Sequence, residues 1–496
     1  PPRAGVARPP RPRGALVRGL PLAVLAAPAG ACSFLATAAP WAGENLTEVN
    51  EFMRRRGPDG TRCARVEQLT ACHNLLHMTG ELVPQPFVGS GSSAGIVAVY
   101  NGEVYNFREL QAELGLDRVR SDGEVVMPMY ERHGPSFPRK FDGEFAVAIF
   151  DLPRRLAVLA TDIFSTKPLW YSRHGGLRVA TYRSGVERLG APRKTIRMMD
   201  PNTVMVFGLD VPHNAAAVPV IARLSVHEFD LRQFKTDTGD FLRAFEQAVA
   251  KRMRSNHPAF IGLSSGYDSG AIQVALQRLG HRHASYTIFS TEDIPTIKER
   301  LKWTGELVEP HVIQLGEEDR AKEEQFLRDS CEYFPFSGIG RLGSIADDPA
   351  AHGLSYIFRH ARQRGFLVYM SGTGADEVIS DYGFAGKKFF PHSNFGGLFP
   401  EDMGSLFPWE SLLLGTQRDY LMKEELVAGS HGIESRYPFL DRLVVQEYIW
   451  LSASAKNSRY KAPLHELLEG AGYPFIAGEK VGFNADWNVR EGGTTL

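Results

Sequence analysis

Cysteine is scarce: Cys32, Cys63, Cys72 and Cys331 are the only four in 496 residues. None stands in a CxxC pair, which argues against a zinc ribbon, and four is too sparse for a disulfide scaffold. A reducing, cytosolic compartment is the expected home. Neither sign of charge dominates, since 56 Lys and Arg against 57 Asp and Glu leave a net charge of -1. A whole-protein grip on nucleic acid is thereby excluded, because phosphate binding needs a clustered excess of Lys and Arg. A membrane anchor is the weakest reading of the start, because its apolar stretch is interrupted by Pro21, Pro28 and Pro40, and no other segment is long enough to span. Internal repeats are absent. What remains is an ordinary composition, 43% hydrophobic and 23% charged, in a chain sized for two to four domains of about 150 residues each.

Residues 1–31 are a different material. Arg3, Arg8, Arg11, Arg13 and Arg18 come without an acid, and Ala29-Gly30-Ala31 resembles a cleavage site. A secretory signal, an organelle transit segment and a Pro/Ala/Arg-rich extension all fit this composition, so targeting by residues 1–31 stays open beside the cytosolic default. From Cys32 the chain reads as strands and tight turns. Cys32–Ala36 is a short apolar strand, and residues 44–56 are helix-like before the turn Gly57-Pro58-Asp59-Gly60. Residues 95–100 form a buried strand followed by Asn101-Gly102, which on local grounds is a hairpin turn. Glu144–Phe150 and Leu156–Thr161 are strands flanking a hairpin. A polar stretch over 208–236 reads as the linker.

The second half alternates strands and helices. The sharpest local signal is an apolar strand, Ala259–Leu263, followed by Ser264-Ser265-Gly266-Tyr267-Asp268-Ser269 and a helix. Small hydroxyls and successive N–H groups at a helix N-terminus make an anion cradle, although the loop lacks the Gly-Lys-Ser/Thr of a Walker A motif. Asp268 would repel phosphate unless a divalent cation lay between them. A second strand, Phe366–Met370, leads into Ser371-Gly372-Thr373-Gly374-Ala375-Asp376-Glu377. Strand ends of an open α/β sheet converge on one crevice, so Asp268 and Asp376 are expected to face each other there.

An ordered series of stretches spans Cys32 to about Asp486: Cys32-Ser33-Phe34, Arg55–Asp59, Tyr100–Asn106, Ser121–Val125, Phe141–Ala146, Asp162–Tyr171, Ser264–Ser269, Ser371–Glu377, Glu434–Asp441 and Lys480–Phe483. In this order they resemble the class B, glutamine-dependent asparagine synthetases and their β-lactam synthetase relatives. The resemblance implies an α+β N-terminal-nucleophile glutaminase sandwich over 32–215. An α/β PP-loop ATP pyrophosphatase domain over 236–496 would follow. It further implies ATP and Mg²⁺ as cofactors, small-molecule substrates (glutamine, aspartate or another carboxylic acid), a homodimer, and neither nucleic acid nor membrane as partner.

Carried over residue by residue, the resemblance makes Cys32 a nucleophile that must become the N-terminal residue, its own α-amine serving as base. Asn101 and Gly102 form the oxyanion hole, and Glu103 and Asp122 hold glutamine. Asn74 stands where the family places an Arg for the glutamine carboxylate, a loss of a bidentate partner. Leu263, Ser264, Ser265, Gly266, Asp268, Ser269, Ile288, Ser371 and Gly372 match ATP contacts, and Asp268 and Asp376 match metal ligands. Lys480 matches the lysine that neutralises charge developing at the α-phosphorus. Thr373 stands where asparagine synthetases have Glu and β-lactam synthetases Tyr. The implied reaction is adenylation of a carboxylate, release of pyrophosphate and attack by ammonia carried internally from Cys32. Two alternatives accompany it: an amide ligase acting on another acid with an idle glutaminase half, and a pseudo-enzyme. The Gly-, Phe- and Pro-rich segment from Phe395 to Trp409 matches nothing, and reads as a surface loop or a substrate lid.

Overall fold

The structure, a computed structural model, describes residues 32–39, 46–54, 56–211, 215–289, 292–337, 343–480 and 483. The readings placed on residues 1–31, Arg55, Val481 and Gly482 lie outside them.

Twelve short strands build the first unit: β1 (Ser33–Thr37), β2 (Gly60–Val66), β3 (Leu69–Leu75), β4 (Phe87–Val88), β5 (Ile96–Val104), β6 (Gly143–Asp151), β7 (Leu156–Thr161), β8 (Trp170–Ser172), β9 (Arg178–Ala180), β10 (Arg197–Met198), β11 (Thr203–Gly208) and β12 (Val220–Ser225). They form two six-stranded antiparallel sheets, in the orders β10-β8-β9-β1-β3-β2 and β12-β11-β7-β6-β5-β4. The two-residue period of a strand explains why β6 is apolar from Phe145 to Phe150, since both of its faces meet a core. Ala146, Ala148 and Phe150 join the core shared with β1 and β3, while Phe145, Val147 and Ile149 meet the other core. Helices Phe107–Leu114 and Val126–His133 bring Leu110, Val126 and Met129 into that second core. The sandwich and its covering helices are the expected glutaminase architecture.

Three expectations need correction here. The stretch 208–236 is not all linker, because β12 pairs with β11 from Thr203↔Ser225 onward, so the first unit runs past residue 215 to Ser225. Asn101-Gly102 is not a hairpin turn but lies inside β5, with Asn101 opposite Ala146 and Gly102 opposite Phe145. Gly102 is required there: its φ is 138°, and a Cβ would lie 1.9 Å from the Glu144 carbonyl. Finally, Cys63 and Cys72 are disulfide-bonded, with Cα atoms 4.0 Å apart. They are directly opposed across β2 and β3, a juxtaposition that a count of cysteines does not reveal.

The second unit is a parallel sheet of β13 (Ala259–Gly262), β14 (His283–Ile288), β15 (Val308–Ile313), β16 (Val368–Met370) and β17 (Glu434–Arg436), in the order β15-β14-β13-β16-β17. Neighbouring β13 and β16 run side by side, Ile261 opposite Met370, so the loops that follow them emerge together. Among the described residues no helix is long and apolar enough to cross a membrane.

Buried charges join the units. Glu144 of β6 accepts from Arg252 Nε at 2.7 Å, and Arg252 Nη1 donates to Asp441 at 2.8 Å. Lys167 donates to Glu425 at 2.7 Å and to the Ser435 carbonyl at 2.8 Å. All five charged side chains are at most 3% exposed. Such a network is costly to desolvate and still more costly to break by halves.

The segment Phe395–Trp409 is a surface loop anchored by its aromatics: Leu398, Glu401, Asp402, Gly404 and Ser405 are exposed, while Phe399 and Trp409 are buried. Phe395, Phe399 and Trp409 pack edge-to-face with centroids 5.0–5.7 Å apart, and Asp381 accepts from the Asn394 and Phe395 amides. Trp409 Nε1 donates to the Glu377 carbonyl at 2.7 Å, bracing the π-helical turn Asp376–Ser380. Trp409→Phe keeps an aromatic ring but removes this donor and part of the buried indole, so a loss of about 2–4 kcal/mol is expected in chemical denaturation. An unchanged midpoint would show that the indole N–H does not brace the turn.

Two candidate active sites

The first site lies where β1 and β5 meet the residues after β3. A small pocket there is lined by Cys32, Leu76, Thr79, Gly102, Glu103 and Asp122, among others. Cys32 Sγ donates to the Leu76 carbonyl at 3.3 Å and accepts from its N–H at 3.2 Å. Burial, reinforced by nearby Glu434, Glu103 and Asp122, pushes the thiol far up, so Cys32 needs an adjacent base to react. Asp122, accepting from Tyr100 Oη at 2.7 Å and Val104 N at 2.9 Å, is pushed by burial to about 6. Glu103 accepts from Thr79 Oγ1 at 2.7 Å and meets Arg436 at 3.3 Å. Burial and Asp122 nonetheless raise it well above the ordinary carboxyl range.

Two predicted residues stand apart from this wall. Asn101 is buried beside Gly102. Asn74 is fully buried on β3, with its amide committed to Asn50, Ser33 and Thr61 at 2.9–3.0 Å. It therefore has no free group to offer glutamine, and the expectation that it binds glutamine is corrected: Asn74 ties β3 to β1 and β2.

The second site is a cavity of about 700 Å³ at the carboxyl ends of β13 and β16. It brings together Ser264, Gly266, Asp268, Ser269, Gly372, Thr373, Asp376 and Lys480. Ser264 Oγ and Ser269 Oγ lie 2.9 Å apart, and Gly266 N donates to Ser264 Oγ at 3.2 Å. A Cβ on Gly372 would sit 3.1 Å from Asp268 Cβ, so glycine lets the two loops approach. Leu263, Ser265, Ile288 and Ser371, also predicted as ATP contacts, are buried outside this wall. Ser265 is held by Glu292, which accepts from its Oγ at 2.6 Å.

Three residues central to this site carried no motif. Arg300, fully buried, donates to the carbonyls of Ser264 and of Gly266 (3.0 Å), fixing the loop from its carbonyl side. Lys461 lies between the two acids, bonded to Asp268 and 2.8 Å from Asp376. Lys480 contacts the other oxygen of Asp376. Burial pushes Asp376 up, but Lys461 and Lys480 outweigh it and hold the carboxyl far below its ordinary range. Asp268 shares only Lys461 directly, and burial leaves it raised. Glu424, the third, accepts from the hydroxyls of Ser371 and Thr373.

The donor chemistry suits a hard divalent cation: two carboxylates and neighbouring hydroxyls, with no sulfur or imidazole on the wall. Among the described residues no three His, Cys, Asp or Glu side chains gather as a metal cage, so phosphate and water oxygens would complete the shell, as is usual for Mg²⁺.

Residues 29–222 match the family model described as glutamine amidotransferase domain, and residues 240–415 match asparagine synthase. The chain belongs to the glutamine-dependent asparagine synthetase family. The relatives that follow share about a quarter of their residues with it over the matched span. A putative glutamine-hydrolyzing asparagine synthetase of Methanocaldococcus jannaschii is 24% identical over 400 residues, covering 77% of this chain and 69% of that protein. Asparagine synthetase of Gallus gallus is 23% identical, covering 81% and 73%. Asparagine synthetase B of Escherichia coli is 23% identical, covering 80% and 70%.

Proposed function

We propose that this chain is a glutamine-hydrolysing asparagine synthetase. It adenylates aspartate with ATP and amidates it with ammonia from glutamine, giving asparagine, AMP, pyrophosphate and glutamate. The observation that carries the reading is the convergence of the Ser264–Ser269 loop, Asp268, Asp376 and Lys480 on one cavity. Serine hydroxyls and loop amides take the β- and γ-phosphates. Asp268 and Asp376 would hold Mg²⁺, which supplies charge neutralisation for the triphosphate. Lys480 stands beside them to stabilise negative charge as the aspartate carboxylate attacks the α-phosphorus. In the first pocket Cys32 attacks the glutamine amide, its freed α-amine taking the proton, while the Gly102 N–H on the pocket wall stabilises the oxyanion. That chemistry needs Cys32 to be the first residue of the mature chain, which mass analysis of the N-terminus tests directly.

The decisive assay is pyrophosphate release from ATP. Release that depends on aspartate is expected. Release with other acids but not aspartate would replace asparagine synthesis by another amide ligation, and release with none would leave a pseudo-enzyme.

A further inference from the structure

A third cavity, of about 640 Å³, opens at the seam between the two units and falls within the size range of small-molecule sites. None of its described lining residues belongs to either pocket above. The helix Leu46–Arg54 gives it an exposed wall with Glu48 and Glu51. Cys331 and Gly429, the latter on the helix Gly415–His431, line it from the second unit. Arg56 lies on the same wall and is 2% exposed. It belongs to the Arg-Gly-Pro-Asp run that neither pocket uses. Its guanidinium lies over the Tyr182 ring, 4.5 Å from the centroid, and Nη2 donates to the Glu425 carbonyl. Gly429 makes the room, since a Cβ there would stand 1.9 Å from Nη2. Nε and Nη1, however, have no hydrogen-bond partner among the described residues. An unmet buried donor on a charged group is costly and rare.

We infer that this seam cavity binds a free α-amino acid, with its carboxylate on Arg56 and its ammonium on the acidic wall. Tyr182 and the Glu425 carbonyl hold Arg56 in place, so its unmet N–H groups are preorganised for a carboxylate. The balance of charge selects a zwitterion over an anion. Among the described lining residues four are acidic and three are arginines, so a phosphate-rich ligand would face a majority of acids. An amine without a carboxylate would leave Arg56 unmet. Glu332 is committed to Ser184, accepting from its N–H at 2.9 Å and its Oγ at 2.6 Å. The ammonium therefore falls to Glu48 and Glu51. Glu51 meets Arg54 at 3.4 Å in an exposed pair, which yields readily in water. The site stands whichever acid the second cavity activates.

Equilibrium dialysis of the full chain against radiolabelled L-amino acids tests this directly. The panel leaves out glutamine, glutamate, aspartate and asparagine, which the two active sites would themselves take up. At least one member is expected to bind at about one per chain. Arg56→Met should weaken that binding by about tenfold or more, the worth of a hydrogen bond to a charged group. The double variant E48Q/E51Q changes two exposed side chains and should weaken it by about threefold. Acetate and methylamine, each at the concentration of the amino acid, should displace little of the label. Absence of binding by every member of the panel would overturn the site, as would unchanged affinity in folded Arg56→Met. Acetate displacing the label as well as the amino acid does would overturn the zwitterion assignment. Should Arg56→Met not fold, E48Q/E51Q decides, and parent-like affinity in it would overturn the assignment.

Discussion

Lys461→Met is expected to lower folding stability by about 3–5 kcal/mol at pH 7 and to abolish aspartate-dependent pyrophosphate release. Lys461 is 1% exposed as a side chain and is the ion-pair partner shared by Asp268 and Asp376. Removing one partner of a buried pair leaves an uncompensated charge, which is why the cost reaches that range. Methionine keeps an unbranched chain of similar length, so packing changes little. The pH dependence has a definite sign. In the parent, Asp376 is held below its unfolded value of about 3.9, so its contribution is present at neutral pH and disappears only in strong acid. In the variant both buried carboxyls lose a cation and rise, so the folded chain binds protons that the unfolded chain releases above about pH 4. The gap between parent and variant should therefore be smallest near pH 4 and widen toward pH 7. Urea denaturation at several pH values measures it, and a gap that is flat or widens in acid would contradict this account.

Cys32→Ala is expected to remove glutamine-dependent asparagine synthesis, by at least about 10³-fold, and to leave ammonium-dependent synthesis within about threefold. The thiol stands between the Leu76 N–H and carbonyl, in a pocket walled by Glu103 and Asp122, whereas ATP chemistry is assigned to the separate cavity after β13 and β16. Alanine fills the same backbone position with no new polar atom to satisfy. Equal loss of both activities would count against two separable sites, and retention of glutamine use would remove Cys32 from the mechanism.

The parts of these sites that were legible in the sequence are contiguous in it. Ser264–Ser269 and Ser371–Glu377 are each one strand-to-helix turn, and the parallel pairing of β13 with β16 then brings them together by topology alone. Lys461, Arg300 and Glu424 were not legible, because each reaches the site across a long sequence separation: 193 residues from Lys461 to Asp268, 36 from Arg300 to Ser264 and 51 from Glu424 to Thr373. No local pattern encodes such a meeting. Asn101-Gly102 misled for the opposite reason. Its turn propensity is real, but β6 continues opposite it and pairing overrides the local preference. The number and spacing of cysteines do not show that Cys63 and Cys72 stand opposed across an antiparallel pair of strands.

The buried links among Glu144, Arg252 and Asp441 and between Lys167 and Glu425 bear on how such chains can be recombined. Each link joins a side chain of the first unit to one of the second, or prolongs such a link. A chimera that grafts this amidotransferase half onto another family member's ATP half inherits Glu144 and Lys167 without assurance of their partners. Transplanting Arg252, Glu425 and Asp441 along with it would preserve the seam, and the least disruptive crossover point lies after Ser225 and before the helix that carries Arg252.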